Sequence, residues 1–233
     1  MLENLVTQSV VTAPTKRIQA TFCFVDMAGF TALTEAQGDD DAADVATRFA
    51  DITRASLSDG ERLIKTIGDA VFVMSPTPTS AIELVERLLM QASSQPGFPA
   101  LRAGLHFGEA VQRDRDVFGA SVNLAARVAA EAYAGEVICT QSIADAAKAQ
   151  DIPVVELGPV PLKNVRKSIE LFSLALMVGD NATPLDPVCR APVDRRSAAG
   201  RLRYGNVEYW FCSLTCAAAF ASNPSWHASG SLS

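Results

Sequence analysis

Residues 21–31 read TFCFVDMAGFT, from Thr21 to Thr31. The apolar run Phe22-Cys23-Phe24-Val25 stops at Asp26, Gly29 follows, and Phe30-Thr31 opens a long helical pattern. This order predicts a buried strand that delivers a carboxylate to its carboxyl end, then a tight turn into a helix. An aspartate in that place can hold a metal ion, and the amides of Ala28, Gly29 and Phe30 can face an anion at the helix start. Taken alone, Asp26 reads first as a cap of the following helix. Residues farther along change that reading.

Residues 30–58 carry a helical pattern with an acidic break at Gly38-Asp39-Asp40-Asp41. Ala42, Val45, Phe49 and Ile52 recur at three- to four-residue intervals and mark one buried face. The three aspartates suit a solvated helix start near the positive end of the dipole. The next stretch, RLIKTIGDAVFVM, reads as a hairpin: Leu63, Ile64 and Ile67 on one strand, Gly68-Asp69 in the turn, Ala70–Met74 returning. If that hairpin pairs beside the first strand, Asp69 comes to the same sheet edge as Asp26. Two carboxylates held that close repel unless a cation lies between them, and oxygen-only ligands favour Mg²⁺ or Mn²⁺.

Beyond it, residues 77–94 form an amphipathic helix and Leu101–Val111 a glycine-interrupted strand. The lone His106 in that strand reads as structural and stays outside the site. In DVFGASVNLAARVAA, beginning at Asp116, a helix starts near Ala120 and sets Asn123 and Arg127 four residues apart on one face. Arg127 offers a fixed charge and a fork of donors suited to phosphate, Asn123 a donor or acceptor for a sugar oxygen. On their own, such a pair also describes an ordinary solvated face. Further strands are expected at Val137–Cys139, Val154–Leu157 and Ile169–Leu176, with Lys163 in the turn PLKNV.

The composition bounds the function. With 233 residues, 48% hydrophobic and 20% charged, the chain is an ordinary globular protein. A formal net charge of −6 argues against broad nucleic-acid binding. No apolar run approaches a membrane span, and the N-terminus lacks the layout of a signal peptide, so a cytoplasmic location is expected. Residues 1–17 read as a loosely held leader. Cys23 and Cys139 lie in apolar runs and read as core residues, whereas Cys189, Cys212 and Cys216 crowd the C-terminal part, where a metal or thiol role outranks a disulfide framework.

Taken together in this order, FVDMAGFT, IKTIGDAVFV, DVFGASVNLAARV and VPLKNV resemble the class III nucleotidyl cyclase catalytic domain, over residues 18–176. The resemblance implies an α+β fold, a ferredoxin-like or palm-like βαββαβ core with extra strands. It also implies a head-to-tail homodimer with interfacial active sites that converts ATP to cyclic AMP. Asp26 and Asp69 would then hold two Mg²⁺ or Mn²⁺ ions, with the Met27 carbonyl as an extra ligand. Lys65 and Asp116 would read the purine from the opposite subunit, Asn123 would orient the ribose, and Arg127 would stabilise the transition state. Lys163 resembles the lysine that meets the terminal phosphates. A Lys/Asp pair donates to adenine N1 and accepts from its exocyclic amine, so ATP is expected over GTP. Guanylyl cyclase, or a catalytically silent nucleotide-binding regulator, are the alternatives. Asn164 stands where family members often have glycine, and the short segment QRDR before Asp116 resembles the subgroup with an abbreviated dimerisation arm.

Residues 177–185 read as a polar linker. DPVC at 186–189 and YGNVEYWFCSLTCAAAFASNPSWH at 204–227 resemble a YHS domain over residues 186–228, a small treble-clef-like module. Cys189, Cys212 and Cys216 could converge on Zn²⁺ or another soft metal. Arg190-Ala191 replaces the Gly-Met usual after the first cysteine, and His227 reads as a surface residue rather than a fourth ligand.

Overall fold

The continuous apolar run around Phe22 is what a strand covered on both faces requires. In the computed structural model, which describes residues 15–176, 184, 186–188, 193, 195, 197–205 and 207–228, it lies in the central strand β1 (Lys16–Met27). Two helices follow, α1 (Phe30–Gln37) and α2 (Asp39–Ser56), broken at Gly38. The hairpin β2 (Arg62–Ile67) and β3 (Ala70–Ser75) leads to α3 (Pro78–Ser93), whose start is fixed by a reciprocal cap between Thr77 and Ser80. Then come β4 (Leu101–Arg113), β5 (Asp116–Phe118), α4 (Ala120–Ala130), β6 (Val137–Thr140), α5 (Gln141–Lys148), β7 (Val154–Val160) and β8 (Ile169–Leu174).

The sheet runs β2-β3-β1-β4-β6-β8-β7, with β5 paired to β4. Its first four strands are antiparallel neighbours joined by the α1/α2 and α3 crossovers, which is the expected βαββαβ arrangement. Period two then divides β1 between two cores. Cys23, Val25 and Met27 pack with Phe49 of α2, the inner face of α3 and Ile143 of α5. Ala20 and Phe22 pack on the opposite side with Phe72 and with Val122 and Ala125 of α4.

The helix α4 lies unusually close to the sheet, and two glycines of β4 make that possible. A Cβ at Gly104 would sit 2.0 Å from the backbone nitrogen of Ala129, and one at Gly108 would sit 2.4 Å from Ser121 Oγ. Only a residue without a side chain lets the backbones approach so closely.

Three details differ from the sequence reading. The strand expected to begin after residue 17 begins at Lys16, because β1 pairs with β4 from Lys16↔Gln112 to Met27↔Leu101. Its length is set by its partner rather than by its apolar run. The strand β5, three residues long, is too short to show an alternation, and the helix α5 was not assigned although Ile143, Ala144 and Ala147 line one buried face of it. Residues 1–14, most of the linker and Cys189, Arg190 and Ala191 lie outside the described residues.

Among the C-terminal residues, the hairpin β9 (Gly200–Tyr204) and β10 (Val207–Phe211) precedes α6 (Leu214–Ser222) and α7 (Pro224–Ala228). Among the described residues, Tyr209, Phe211 and Phe220 form a buried cluster there. No helix among the described residues is long and apolar enough to cross a membrane.

The seating of α4 is directly testable. Gly104→Ala should lower stability by about 1–3 kcal/mol, the usual range for overpacking, read as a reduced melting temperature. Unchanged melting would mean that α4 does not rest on Gly104.

Candidate active site

One corner of the sheet gathers the two aspartates. β1 carries Asp26 into register with Ala70 of β3 on one side and Arg102 of β4 on the other. Asp69 occupies the β2–β3 turn, where Gly68 takes a left-handed φ of 60°, and its carbonyl accepts a 3.3 Å hydrogen bond from the Met27 N–H. The Asp69 carboxyl is pushed above the usual carboxylate range, first by burial and then by the negative charge of Asp26 beside it. Met27 itself buries its side chain in the core, so only its backbone carbonyl could serve as a ligand.

Arg102, which the sequence reading did not select, completes this corner. Its Nε donates to Asp26 Oδ2 at 2.9 Å, a second guanidinium nitrogen donates to the same oxygen, and Nη1 reaches the Ala132 carbonyl at 3.4 Å. The signal in the sequence was a charged residue at the second position of β4, directly ahead of the apolar stretch Ala103–Leu105. Two carboxylates in one partly buried corner, with a counter-charge already recruited, form a set of hard oxygen donors that fits Mg²⁺ or Mn²⁺.

The turn after β1 bends through Gly29, with a left-handed φ of 78°. Of the three amides expected to face an anion there, that of Ala28 instead donates to the Ala100 carbonyl at 2.8 Å. The pairing of the strand ends captures it, which leaves that expectation to Gly29 and Phe30.

A second group forms where β2 meets β5. Lys65 and Asp116 are 51 positions apart, yet Lys65 Nζ lies 2.7 Å from Asp116 Oδ2. The hydrogen bond from Lys65 holds the Asp116 carboxyl below its ordinary range, with help from the Val117 N–H at 2.8 Å. The pair borders an open cleft of about 320 Å³ shared with Ile64, Arg113, Arg115 and Phe118. Lys65 also stands 5.8 Å from the centre of the Phe118 ring. The β4–β5 turn closes through Asp114 at a φ of 55°, which is how the short segment QRDR brings Asp116 back to Lys65.

Asn123 and Arg127 lie one turn apart on α4, away from its buried residues Val122, Ala125, Val128 and Ala129. Arg127, in the last turn, also suits the negative end of the helix. Lys163 is exposed at a turn anchored by the buried Leu162, which packs in the same cluster as Val128. Asn164 adopts the left-handed φ of 63° that its place in the turn demands.

The candidate residues thus fall into separate groups. Among the described residues, no hydrogen bond or ion pair joins the Asp26–Asp69–Arg102 corner to Lys65–Asp116, Asn123, Arg127 or Lys163. His106, left outside the site, pairs with Thr140 Oγ1 at 2.9 Å. Of the three C-terminal cysteines, Cys212 and Cys216 come together, and Cys189 lies outside the described residues.

Known proteins repeat this architecture. A pH-sensitive adenylate cyclase of Mycobacterium tuberculosis is 35% identical over 158 residues, 66% of this chain and 40% of that protein. The chain therefore spans well under half of that relative's length. In structure, the chain is similar to the adenylyl cyclase CyaB of P. aeruginosa, with a TM-score of 0.59 and 21% identity, covering 72% of this chain and 98% of that one. It is similar also to an adenylate cyclase of Trypanosoma brucei in its monomeric state, with a TM-score of 0.63 and 21% identity, covering 70% and 90%. At such identities the likeness concerns the fold alone. Residues 13–175 match the family described as the adenylate and guanylate cyclase catalytic domain, and the chain belongs to that family.

Proposed function

We propose that residues 18–176 are the catalytic domain of an adenylyl cyclase, converting ATP to 3′,5′-cyclic AMP and pyrophosphate in a head-to-tail homodimer. The observation that carries this reading is the Lys65–Asp116 pair at the mouth of an open cleft. It sets a donor beside an acceptor, the complement of adenine N1 and the adenine amine. Guanine, with an oxygen in place of that amine, presents the reverse pattern. The separation of this pair from the aspartate corner supports a site assembled from two protomers, one supplying Asp26 and Asp69, the other supplying Lys65, Asp116, Asn123 and Arg127.

In this reading Asp26, Asp69 and the Met27 carbonyl hold two Mg²⁺ or Mn²⁺ ions. When bound, such ions polarise the α-phosphate and lower the pKa of the ribose 3′-hydroxyl. Lys65 and Asp116 fix the adenine and Asn123 the ribose, so that the 3′ oxygen faces the α-phosphorus in line. A bond forms from that oxygen to phosphorus as the bond to the bridging oxygen breaks. Pyrophosphate leaves, and the hydroxyl proton passes to solvent. Arg127 donates to charge that grows on the phosphoryl oxygens. Lys163 and the amides of Gly29 and Phe30 meet the terminal phosphates. Arg102 neutralises Asp26 in the resting corner and offers its remaining donors to phosphate oxygens.

Residues 186–228, joined by the linker 177–185, are read as a YHS-like module able to hold a soft metal, and the protein as cytoplasmic.

Purified protein given ATP or GTP, each with Mg²⁺ or Mn²⁺, should yield cyclic AMP from ATP and little product from GTP. Cyclic GMP as the main product would overturn the purine assignment, and no product from folded, dimeric protein would overturn the catalytic one. Asp26→Ala and Arg127→Ala should each fold, as judged by circular dichroism, and lose on the order of 10²–10³ in rate. Mixing these two inactive variants should restore about a quarter of wild-type activity, since half the dimers are mixed and each then keeps one intact interfacial site. No recovery on mixing would place both residues in one protomer's site.

A further inference from the structure

The cleft beside the Lys65–Asp116 pair contains a side chain for which edge recognition of a purine has no use. Phe118 is 51% exposed, and it lines that cleft together with Ile64 and five charged residues.

The backbone fixes where this ring stands. Successive residues of a strand face opposite ways. β5 sends Val117 into the core with Phe22, Phe72 and Ala110, so Asp116 and Phe118 emerge together on the other face, about 7 Å apart along the strand. The ladder Val111↔Phe118, Gln112↔Val117 and Arg113↔Asp116 sets their register. Gly119 follows at once, and its carbonyl accepts from the Asn123 N–H at 3.1 Å. A Cβ at Gly119 would stand 3.4 Å from the Ala110 Cα, so the junction of β5 and α4 lies close against β4. The ring is thus carried by a paired strand and the start of a helix, a rigid support for a binding surface.

The chemistry of the pair leaves a contact unfilled. A base whose edge meets Lys65 and Asp116 exchanges hydrogen bonds to water for hydrogen bonds to protein, so these contacts choose between bases better than they hold them. Holding a flat heterocycle calls for contact with its face. Every base has a π-face, so stacking on an aromatic ring is favourable and indifferent to which base it is. Phe118 presents such a ring beside the donor–acceptor edge: Lys65 Nζ, 2.7 Å from Asp116 Oδ2, lies 5.8 Å from the ring centre. The other apolar lining residue, Ile64, already packs against the core.

We propose that Phe118 is the surface on which the purine base stacks, held by its face while Lys65 and Asp116 read its edge. The assignment rests on the purine reading of that pair and adds a division of labour to it. The ring supplies affinity common to adenine and guanine, and the pair supplies the choice between them.

The test measures binding apart from turnover. 3′-Deoxy-ATP and 3′-deoxy-GTP lack the attacking hydroxyl and cannot cyclise, so their dissociation constants with the full chain in Mg²⁺ report the site alone. Phe118→Leu keeps an apolar side chain and removes the π-face. It should weaken both analogues by the same factor, roughly 5- to 100-fold, and raise KM for ATP to match while kcat changes little. Phe118→Tyr should bind as the wild type does. The dimer fraction, measured by sedimentation, should be the same in all three proteins. Unchanged affinity in Phe118→Leu would overturn the proposal. So would a loss confined to 3′-deoxy-ATP, which makes the ring a support for Lys65, or a loss of dimer, which makes it a subunit contact. Wild-type protein that binds neither analogue would overturn the purine reading of the pair, and the stacking role with it.

Discussion

The antiparallel ladder between β1 and β4 sets the positions on which the site depends. It runs without a shift from Lys16↔Gln112 to Met27↔Leu101, and side chains alternate along it with period two. A slip of one residue would turn Asp26 from the corner into the core beneath α3, and would send Val25 and Met27 out of it. The same register puts Arg102 directly opposite Asp26, and it places Gly104 and Gly108 where α4 must rest. The aspartate corner and the helix that carries Asn123 and Arg127 are thus located by one set of backbone hydrogen bonds. A rigid sheet under a closely seated helix is the kind of support that catalytic groups need to stay within a fraction of an ångström of their working geometry.

Charge gives this scaffold its chemical character. Burial and Asp26 together raise the Asp69 carboxyl, while Arg102 draws the Asp26 carboxylate into an ion pair. A corner in that condition has an unmet demand for positive charge, since one arginine serves two acids. At the Lys65–Asp116 cleft the demand is met internally: the two groups satisfy one another and offer a neutral, directional donor–acceptor edge. The first arrangement suits cations and phosphates, the second a flat heterocycle. Their separation within one chain suits the proposed site assembled from two protomers.

The C-terminal residues follow a different logic. Among the described residues, their hairpin and short helices bury a compact aromatic cluster of Tyr209, Phe211 and Phe220. Polar anchoring accompanies it: Asp186 ties Val188 and Cys212 together through their backbone N–H groups, and Ser213 caps the helix that carries Cys216.

Much of this was legible in the residues alone. The β1–turn–α1 passage, the Gly68-Asp69 hairpin, the start of α4 at Ala120 and the shared face of Asn123 and Arg127 are all dictated by local chemistry. Apolar runs, left-handed turn positions and helical spacing do not depend on distant partners. What sequence could not supply was pairing across distance. The full length of β1 is set by β4, the recruitment of Arg102 by its register opposite Asp26, and the capture of the Ala28 amide by Ala100. Lys65 meets Asp116 only because β5 folds back beside β2, and Asp186 joins Cys212 across 26 positions. Local propensity acts over a few residues, so it determined which elements form and which chemistry they carry. Which side chains finally touch was decided by tertiary structure, because strand register and helix seating are settled only when separated segments bury one another.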